Sequence, residues 1–248
     1  NSPSELVRKA SEAQLAVLAL TDHDTLDGLA EAESAAARLG VIFVRGCEIS
    51  TATAWGEAHF LGLWIPDDGN LTKKLEKALS EVREKRRARN VRIAEKLSSL
   101  GMDVTYEAAA ALAGGRVVGR PHFAKLLCRL GVVENEREAF RRYLGRDGLA
   151  YVPRELMYPE RAVSLLKSSG ALVSMAHPRL LHAPLEELER LLVRLKDAGL
   201  DALEAYHSEH DAGDVRLCVE LAARHELQIT GGSDYHGEAK PKISLGRG

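Results

Sequence analysis

Short apolar runs alternate along the chain with longer stretches in which apolar residues recur every three or four positions. The runs fall at 15–20, 41–44, 59–64, 171–176, 202–206 and 227–230, and their lengths suit strands. Between them, the three-to-four spacing predicts helices near 4–12, 26–39, 160–169, 185–199 and 211–225. This alternation is the signature of βα units around a parallel sheet or barrel. It stops between Pro66 and Val152, where the pattern is helical almost throughout, with helices expected near 70–100, 105–113, 121–130 and 135–144. Gly101, Gly114-Gly115, Gly131 and Gly145 punctuate their ends. The chain therefore divides into a discontinuous α/β body, 1–65 with 153–248, and a helical insertion at 66–152.

The polar residues that interrupt these patterns cluster at strand ends. Thr21-Asp22-His23-Asp24 follows the first run, Gly46-Cys47-Glu48 the second, and His177-Pro178 the run ending at Ala176. Tyr206-His207 closes another, and Ser233-Asp234-Tyr235-His236 follows the last. In an α/β barrel the carboxyl ends of the strands converge on one rim. Imidazoles and carboxylates gathered there without a positive partner would suffer repulsion and desolvation, a cost that divalent cations with mixed N and O ligands relieve. His59 begins a run, so it reaches the same rim only if Ala54-Trp55-Gly56-Glu57 turns the chain back as a hairpin. Asp22 and Asp24 compete for a simpler role as helix caps. His182 and His225 lie outside any such context and read as ordinary structural residues.

Composition narrows the field. Among 248 residues, 45% are hydrophobic, enough for a substantial core, and the net charge of -2 argues against a protein that coats nucleic acid by bulk charge. The one basic concentration, Arg83-Glu84-Lys85-Arg86-Arg87-Ala88-Arg89, reads first as a solvated helix face and second as a phosphate-facing lid. Cys47, Cys128 and Cys218 are far apart and odd in number, so a disulfide framework is not expected and a cytoplasmic setting is. No apolar run is long enough to span a bilayer, and no membrane role is expected.

Together, Thr21-Asp22-His23-Asp24, Gly46-Cys47-Glu48-Ile49-Ser50, Ala58-His59-Phe60-Leu61-Gly62-Leu63, Ala176-His177-Pro178 and Gly232-Ser233-Asp234-Tyr235-His236 resemble the polymerase and histidinol phosphatase (PHP) phosphoesterases. Their order and spacing resemble the branch of 3′,5′-nucleoside bisphosphate phosphatases and 5′-3′ exoribonucleases. The resemblance takes in the insertion, through Gly119-Arg120-Pro121-His122-Phe123-Ala124 and Tyr143-Leu144-Gly145-Arg146. It implies an α/β fold, a distorted seven-stranded (β/α) barrel whose rim holds three divalent metals, with manganese favoured over magnesium, iron or zinc. The implied ligands are His23, Glu48, His59, His177, Asp234 and His236, with Asp234 and His236 also placed in catalysis. Arg120, His122 and Arg179 are implied as substrate phosphate contacts, although relatives often place a glycine between the proline of the Ala-His-Pro motif and that arginine. Asp22, His207 and His210 stand as supporting residues around the metals or substrate.

The family opens on a strand ending in His-X-His, followed by Thr-X-X-Ser-Asp-Gly, and Asn1-Ser2-Pro3-Ser4-Glu5-Leu6 resembles what comes after that motif. Six candidate strands against the family's seven fit the expectation that the first strand, with three further ligands, is missing from the chain as given. The implied activity is hydrolysis of phosphate esters by a metal-bridging hydroxide, on a 3′,5′-nucleoside bisphosphate or a short RNA 5′ end. Three alternatives stay open at this point: a metal-dependent amidohydrolase, a metal-binding domain without turnover, and a nucleic-acid-binding module built on the basic helix.

Overall fold

The computed structural model describes residues 1–114, 117–237 and 240–247. Two compact units emerge, Asn1–Ser80 with Leu156–Gly248, and Glu81–Glu155.

The first unit is an α/β fold. Helix α1 (Pro3–Glu12) begins where its sequence says it should, with the Ser2 hydroxyl accepting the Glu5 N–H at 3.2 Å and Pro3 in the first turn. It leads into β1 (Val17–Leu20), α2 (Leu29–Leu39), β2 (Ile42–Thr53) and β3 (Gly56–Leu63). After the second unit come α7 (Pro159–Ser168), β4 (Leu172–Met175), α8 (Leu185–Ala198), β5 (Ala202–His207), α9 (Ala212–Arg224) and β6 (Gln228–Gly232). The six strands form one curled, half-barrel sheet in the order β1-β2-β3-β4-β5-β6. Strands β1 and β2 are parallel, as are β4, β5 and β6, while β3 is antiparallel to both its neighbours.

Strand β2 is the main departure from the hydrophobic pattern. It does not stop near residue 44 but continues to Thr53, so Gly46-Cys47-Glu48 lies inside the strand and not beyond it. The reason is cross-strand pairing, since β3 pairs with it from Gly46↔Leu63 to Thr53↔Gly56. The turn is fixed by Thr53, whose hydroxyl accepts the Trp55 N–H at 3.1 Å and donates to the Gly56 carbonyl at 2.9 Å. This hairpin brings His59 opposite Ser50, two residues from Glu48. The apolar core behind the sheet includes Ile49, Phe60, Leu166, Val173, Met175 and Leu203. Helix α8 supplies Leu188, Leu191, Leu192 and Leu195, the one-face spacing read from the sequence.

The second unit contains the later part of α3 (Gly69–Ser99), α4 (Tyr106–Ala113), α5 (Arg120–Arg129) and α6 (Glu136–Ala139). The helix expected over 135–144 ends early, giving way to a π-helical turn at Phe140–Leu144. A separate core that includes Ile93, Leu97, Phe123, Leu127 and Leu144 holds the unit together. Gly114 closes α4 in the left-handed conformation, and Gly115 lies outside the described residues. Within the basic stretch of α3, Glu84, Lys85, Arg87 and Ala88 are exposed, as on a solvated helix face, while Arg89 is buried. Arg89 donates to the Val152 carbonyl at 3.0 Å, Lys96 to the Tyr151 carbonyl at 2.7 Å, and Lys85 lies 3.5 Å from a Glu155 carboxylate oxygen. One face of the helix thus fastens the segment 151–155.

Gly46 allows the close strand approach on which β2 depends. A Cβ there would lie 2.8 Å from the Gly62 carbonyl oxygen and 3.1 Å from that of Leu20, both fixed backbone atoms. Gly46→Ala is expected to destabilise the protein by about 1–3 kcal/mol, read as a lower denaturant midpoint. An unchanged midpoint would show that the strands have room to spread.

Candidate metal centre

Each rim residue is delivered by a strand or by the turn just after it. Beyond β1, Asp24 donates its N–H to the Glu48 carbonyl at 2.9 Å, and Glu48 returns its N–H to the Asp22 carbonyl at 3.1 Å. This short bridge lays His23 beside Glu48. Neither Asp22 nor Asp24 caps α2, whose N-cap is Gly28. Asp24 is instead fully buried, and its carboxylate accepts the Ser50 N–H at 3.2 Å, bracing β2. His177 follows β4, and Asp234 and His236 follow β6. Three of these turn residues, Asp24, His177 and Asp234, hold positive φ values of 56°, 28° and 49°. Left-handed backbone at non-glycine residues is strained and persists where surrounding contacts over-determine it.

A cavity of about 360 Å³ opens among them, lined by all six implied ligands: His23, Glu48, His59, His177, Asp234 and His236. Glu57 and Lys240 also reach it. Glu48 is the hub. One of its carboxylate oxygens lies 2.9 Å from His59 Nδ1 and 3.2 Å from His177 Nε2, and the other lies 3.3 Å from His23 Nδ1. The rings stand edge to face, with centroids 5.1 Å apart for both His23–His59 and His59–His177.

Electrostatics set the protonation of this hub. Burial disfavours charge on Glu48, but the imidazoles of His23, His177 and His59 outweigh it and hold the carboxyl well below its ordinary range. Burial likewise opposes charge on His59, and the Glu48 and Glu57 carboxylates overcome it, raising its pKa to about 9. Desolvation pushes Asp234 upward, yet His207 and Lys240 bring it down to about 2.

The donor set suits divalent cations. The Nδ1 atoms of His23 and His59 are buried and make no hydrogen bond among the described residues, although carboxylate oxygens lie close by. Close approach without hydrogen-bond alignment means that lone pairs and carboxylate oxygens face a common volume. His23, Glu48 and His59 bring one ligand atom each within 4.8 Å of one another. In a buried site such unsatisfied nitrogens call for a partner, and a metal ion supplies one. His236 fits too, because its Nδ1 donates to the Asp234 carbonyl at 2.8 Å and leaves the Nε2 lone pair of the neutral ring free to ligate.

A second grouping, His207, Glu209 and Asp234, has similar spacing but a different chemistry. His207 Nδ1 accepts the Glu209 N–H at 3.1 Å, so the proton of the neutral ring sits on Nε2, 3.7 Å from Asp234. Lys240 already fills the gap between the carboxylates, 2.7 Å from Asp234 and 3.0 Å from Glu209. Lys240 therefore donates to Asp234, while His207 Nε2 lies near it beyond hydrogen-bond distance. Neither Glu209 nor Lys240 was singled out in the sequence, since both stand in segments without a periodic pattern.

The remaining expected residues sit elsewhere. Arg179 donates through Nε to Asp214 at 2.8 Å and is not among the residues lining the cavity. His210 Nδ1 donates to the Ala205 carbonyl at 2.9 Å, behind His207. Asp22 contributes its backbone to the rim, as described above. Arg120 and His122 belong to the second unit, where Arg120 lies over the Phe140 ring and donates to the Leu144 carbonyl at 3.4 Å. His122 Nδ1 accepts the Gly119 N–H at 3.0 Å at the start of α5.

Comparison with known proteins gives consistent matches. The model of the PHP domain matches residues 1–198. A 5′-3′ exoribonuclease of Haemophilus influenzae is 34% identical over 235 residues, covering 95% of this chain and 84% of that protein. A 3′,5′-nucleoside bisphosphate phosphatase of Chromobacterium violaceum is 32% identical over 246 residues, covering 99% and 85%. A solved structure from Bifidobacterium adolescentis, assigned as a metal-dependent phosphoesterase, aligns with a TM-score of 0.85 at 29% identity, covering 99% of this chain and 86% of that one.

The raised pKa of His59 has a consequence for the metal-free protein. A group whose pKa rises on folding stabilises the fold below its unfolded value and stops doing so as pH climbs through the folded value. Stability without metal should therefore decline between about pH 6.5 and pH 9, and Glu48→Gln should flatten that decline. Urea unfolding across this range, with NMR titration of the His59 ring, checks it; a His59 midpoint at or below 6.5 in the unsubstituted protein would contradict it.

Proposed function

Because this chain belongs to the PHP domain family, we propose that it is a metal-dependent phosphoesterase acting on nucleotide phosphate esters, a 3′,5′-nucleoside bisphosphate or the 5′ end of a short RNA. The observation that carries this reading is the hub at Glu48, where the buried Nδ1 atoms of His23 and His59 crowd a carboxylate without hydrogen-bonding to it. His23, Glu48, His59, His177, Asp234 and His236 would hold the cations, three in number and manganese by preference. Divalent cations acidify water toward neutrality and neutralise phosphate oxygens, the two things that phosphate-ester hydrolysis at pH 7 requires.

The chain's own groups then have distinct tasks. Glu48, with two oxygens facing different imidazoles, would offer an oxygen to each of two cations. Asp234 stays ionised through His207 and Lys240, so it remains an acceptor at any working pH. His236, its Nδ1–H held by the Asp234 carbonyl, has one Nε2 lone pair, which would serve a cation or, where no cation takes it, hold a proton at that atom. Asp22, His207 and His210 serve as supports around this set. Arg179 is a proposed phosphate contact, one that must first leave Asp214. A phosphate contact from Arg120 and His122, in the helical unit, is proposed on the family resemblance alone.

A seventh strand would join β1 to β6, the two edge strands of the sheet. A cytoplasmic setting accords with three unpaired cysteines, and no helix of the described residues is long and apolar enough to cross a membrane.

Purified protein with manganese should release phosphate from a 3′,5′-bisphosphate or shorten a 5′-phosphorylated RNA, and chelation should stop it. Glu48→Gln should lower turnover by more than the roughly 10- to 100-fold that loss of an outer hydrogen-bond partner costs, with circular dichroism unchanged. Undiminished phosphate release in that variant, or turnover of amides and not phosphate esters, would refute the assignment.

A further inference from the structure

Glu204 lies in the middle of β5 between the buried residues Leu203 and Ala205, and is itself only 4% exposed. It does not line the cavity. A carboxyl group so placed is costly unless hydrogen bonds satisfy it. One of its oxygens accepts the backbone N–H of His177 at 2.7 Å. The other lies where a Cβ on Gly232 would come within 3.1 Å, so the glycine leaves it room.

The partner of that hydrogen bond is in an unusual conformation. His177 has φ 28° and ψ 58°, and it precedes Pro178. Non-glycine residues rarely enter that region, and a following proline further restricts the backbone before it. The conformation turns the chain sharply at the end of β4 and sets the His177 ring with Nε2 3.2 Å from Glu48. An extended backbone at His177 would carry the ring away from the hub.

Resting on the cation-binding reading above, we infer that Glu204 is a positioning residue: it anchors the strained His177 backbone and so aims that imidazole into the metal centre. The contact depends on the reach of an acceptor oxygen from β5, not on charge. Glutamine keeps that reach through its amide oxygen, whereas aspartate keeps the charge but withdraws the oxygen by one methylene.

The test titrates manganese alone into the full chain and its Glu204→Gln, Glu204→Asp and Glu204→Leu variants, reading free ion by electron paramagnetic resonance. The glutamine variant should bind within a few-fold of the unsubstituted protein. The aspartate and leucine variants should bind about 10- to 100-fold more weakly. In the metal-free proteins, the ring nitrogen shifts of His177 should move in the aspartate variant while those of His23 stay in place. Equal binding by all four proteins, or wild-type behaviour in aspartate with loss in glutamine, would overturn the inference. If the leucine variant does not fold, the glutamine–aspartate pair decides. If the unsubstituted protein binds no manganese, the cation reading fails by itself, and a His177 ring shift that is unchanged in the aspartate variant refutes the positioning role.

Discussion

A buried carboxylate facing three imidazoles organises this molecule. Glu48 is 5% exposed, and the nitrogens of His23, His59 and His177 all lie within 3.3 Å of its oxygens. In the low dielectric of a rim, such a set is stable only when protons or cations balance it. Without metal, the balance falls on protons, which is why His59 holds its proton to about pH 9. On the proposed reading, the same lone pairs would become ligands to metal, and the cations would take over the electrostatic balance that protons hold.

The backbone meets this demand by strain at chosen places. Asp24, His177 and Asp234 each take a left-handed φ at the point where the chain leaves a strand. Each is tied down close by: Asp24 by Ser50 and Glu48, His177 by Glu204, and Asp234 by Lys240 and His207. Gly46 lets β2 lie close to the Leu20 and Gly62 carbonyls of its two neighbouring strands, and Gly62 leaves room for the Leu166 side chain of α7 against β3, so that the pairing that brings Glu48 and His59 together is kept. Strand pairing, strained turns and polar anchors are therefore one device, whose product is a set of converging nitrogen and oxygen atoms.

Much of this was legible in the sequence because strand ends are marked by a change from apolar runs to polar clusters. Thr21-Asp22-His23-Asp24, Ala176-His177-Pro178 and Ser233-Asp234-Tyr235-His236 fall where the runs stop, and all contribute to the rim. The extent of β2 was not legible, because hairpin pairing and not local pattern carries it past Glu48. The partner of Arg179 was hidden as well, since Asp214 lies on α9, 35 residues away. Lys240 sits in a stretch without periodicity, and only the folded chain shows it between Asp234 and Glu209. Glu204 did carry a signal, as a lone charged residue between apolar neighbours in β5, and such a residue in a buried strand should prompt a search for its partner. The basic run of α3 is mostly exposed, in keeping with a solvated face, but the burial of Arg89 on the Val152 carbonyl, 63 residues away, had no local signal.

The convergence on Glu48 is most directly tested by anomalous diffraction from crystals grown with manganese. Peaks at bonding distance from Glu48 and from the ring nitrogens of His23, His59 or His177 are the result this account predicts. Ordered manganese elsewhere with none at Glu48, in crystals where those side chains are well defined, would contradict it.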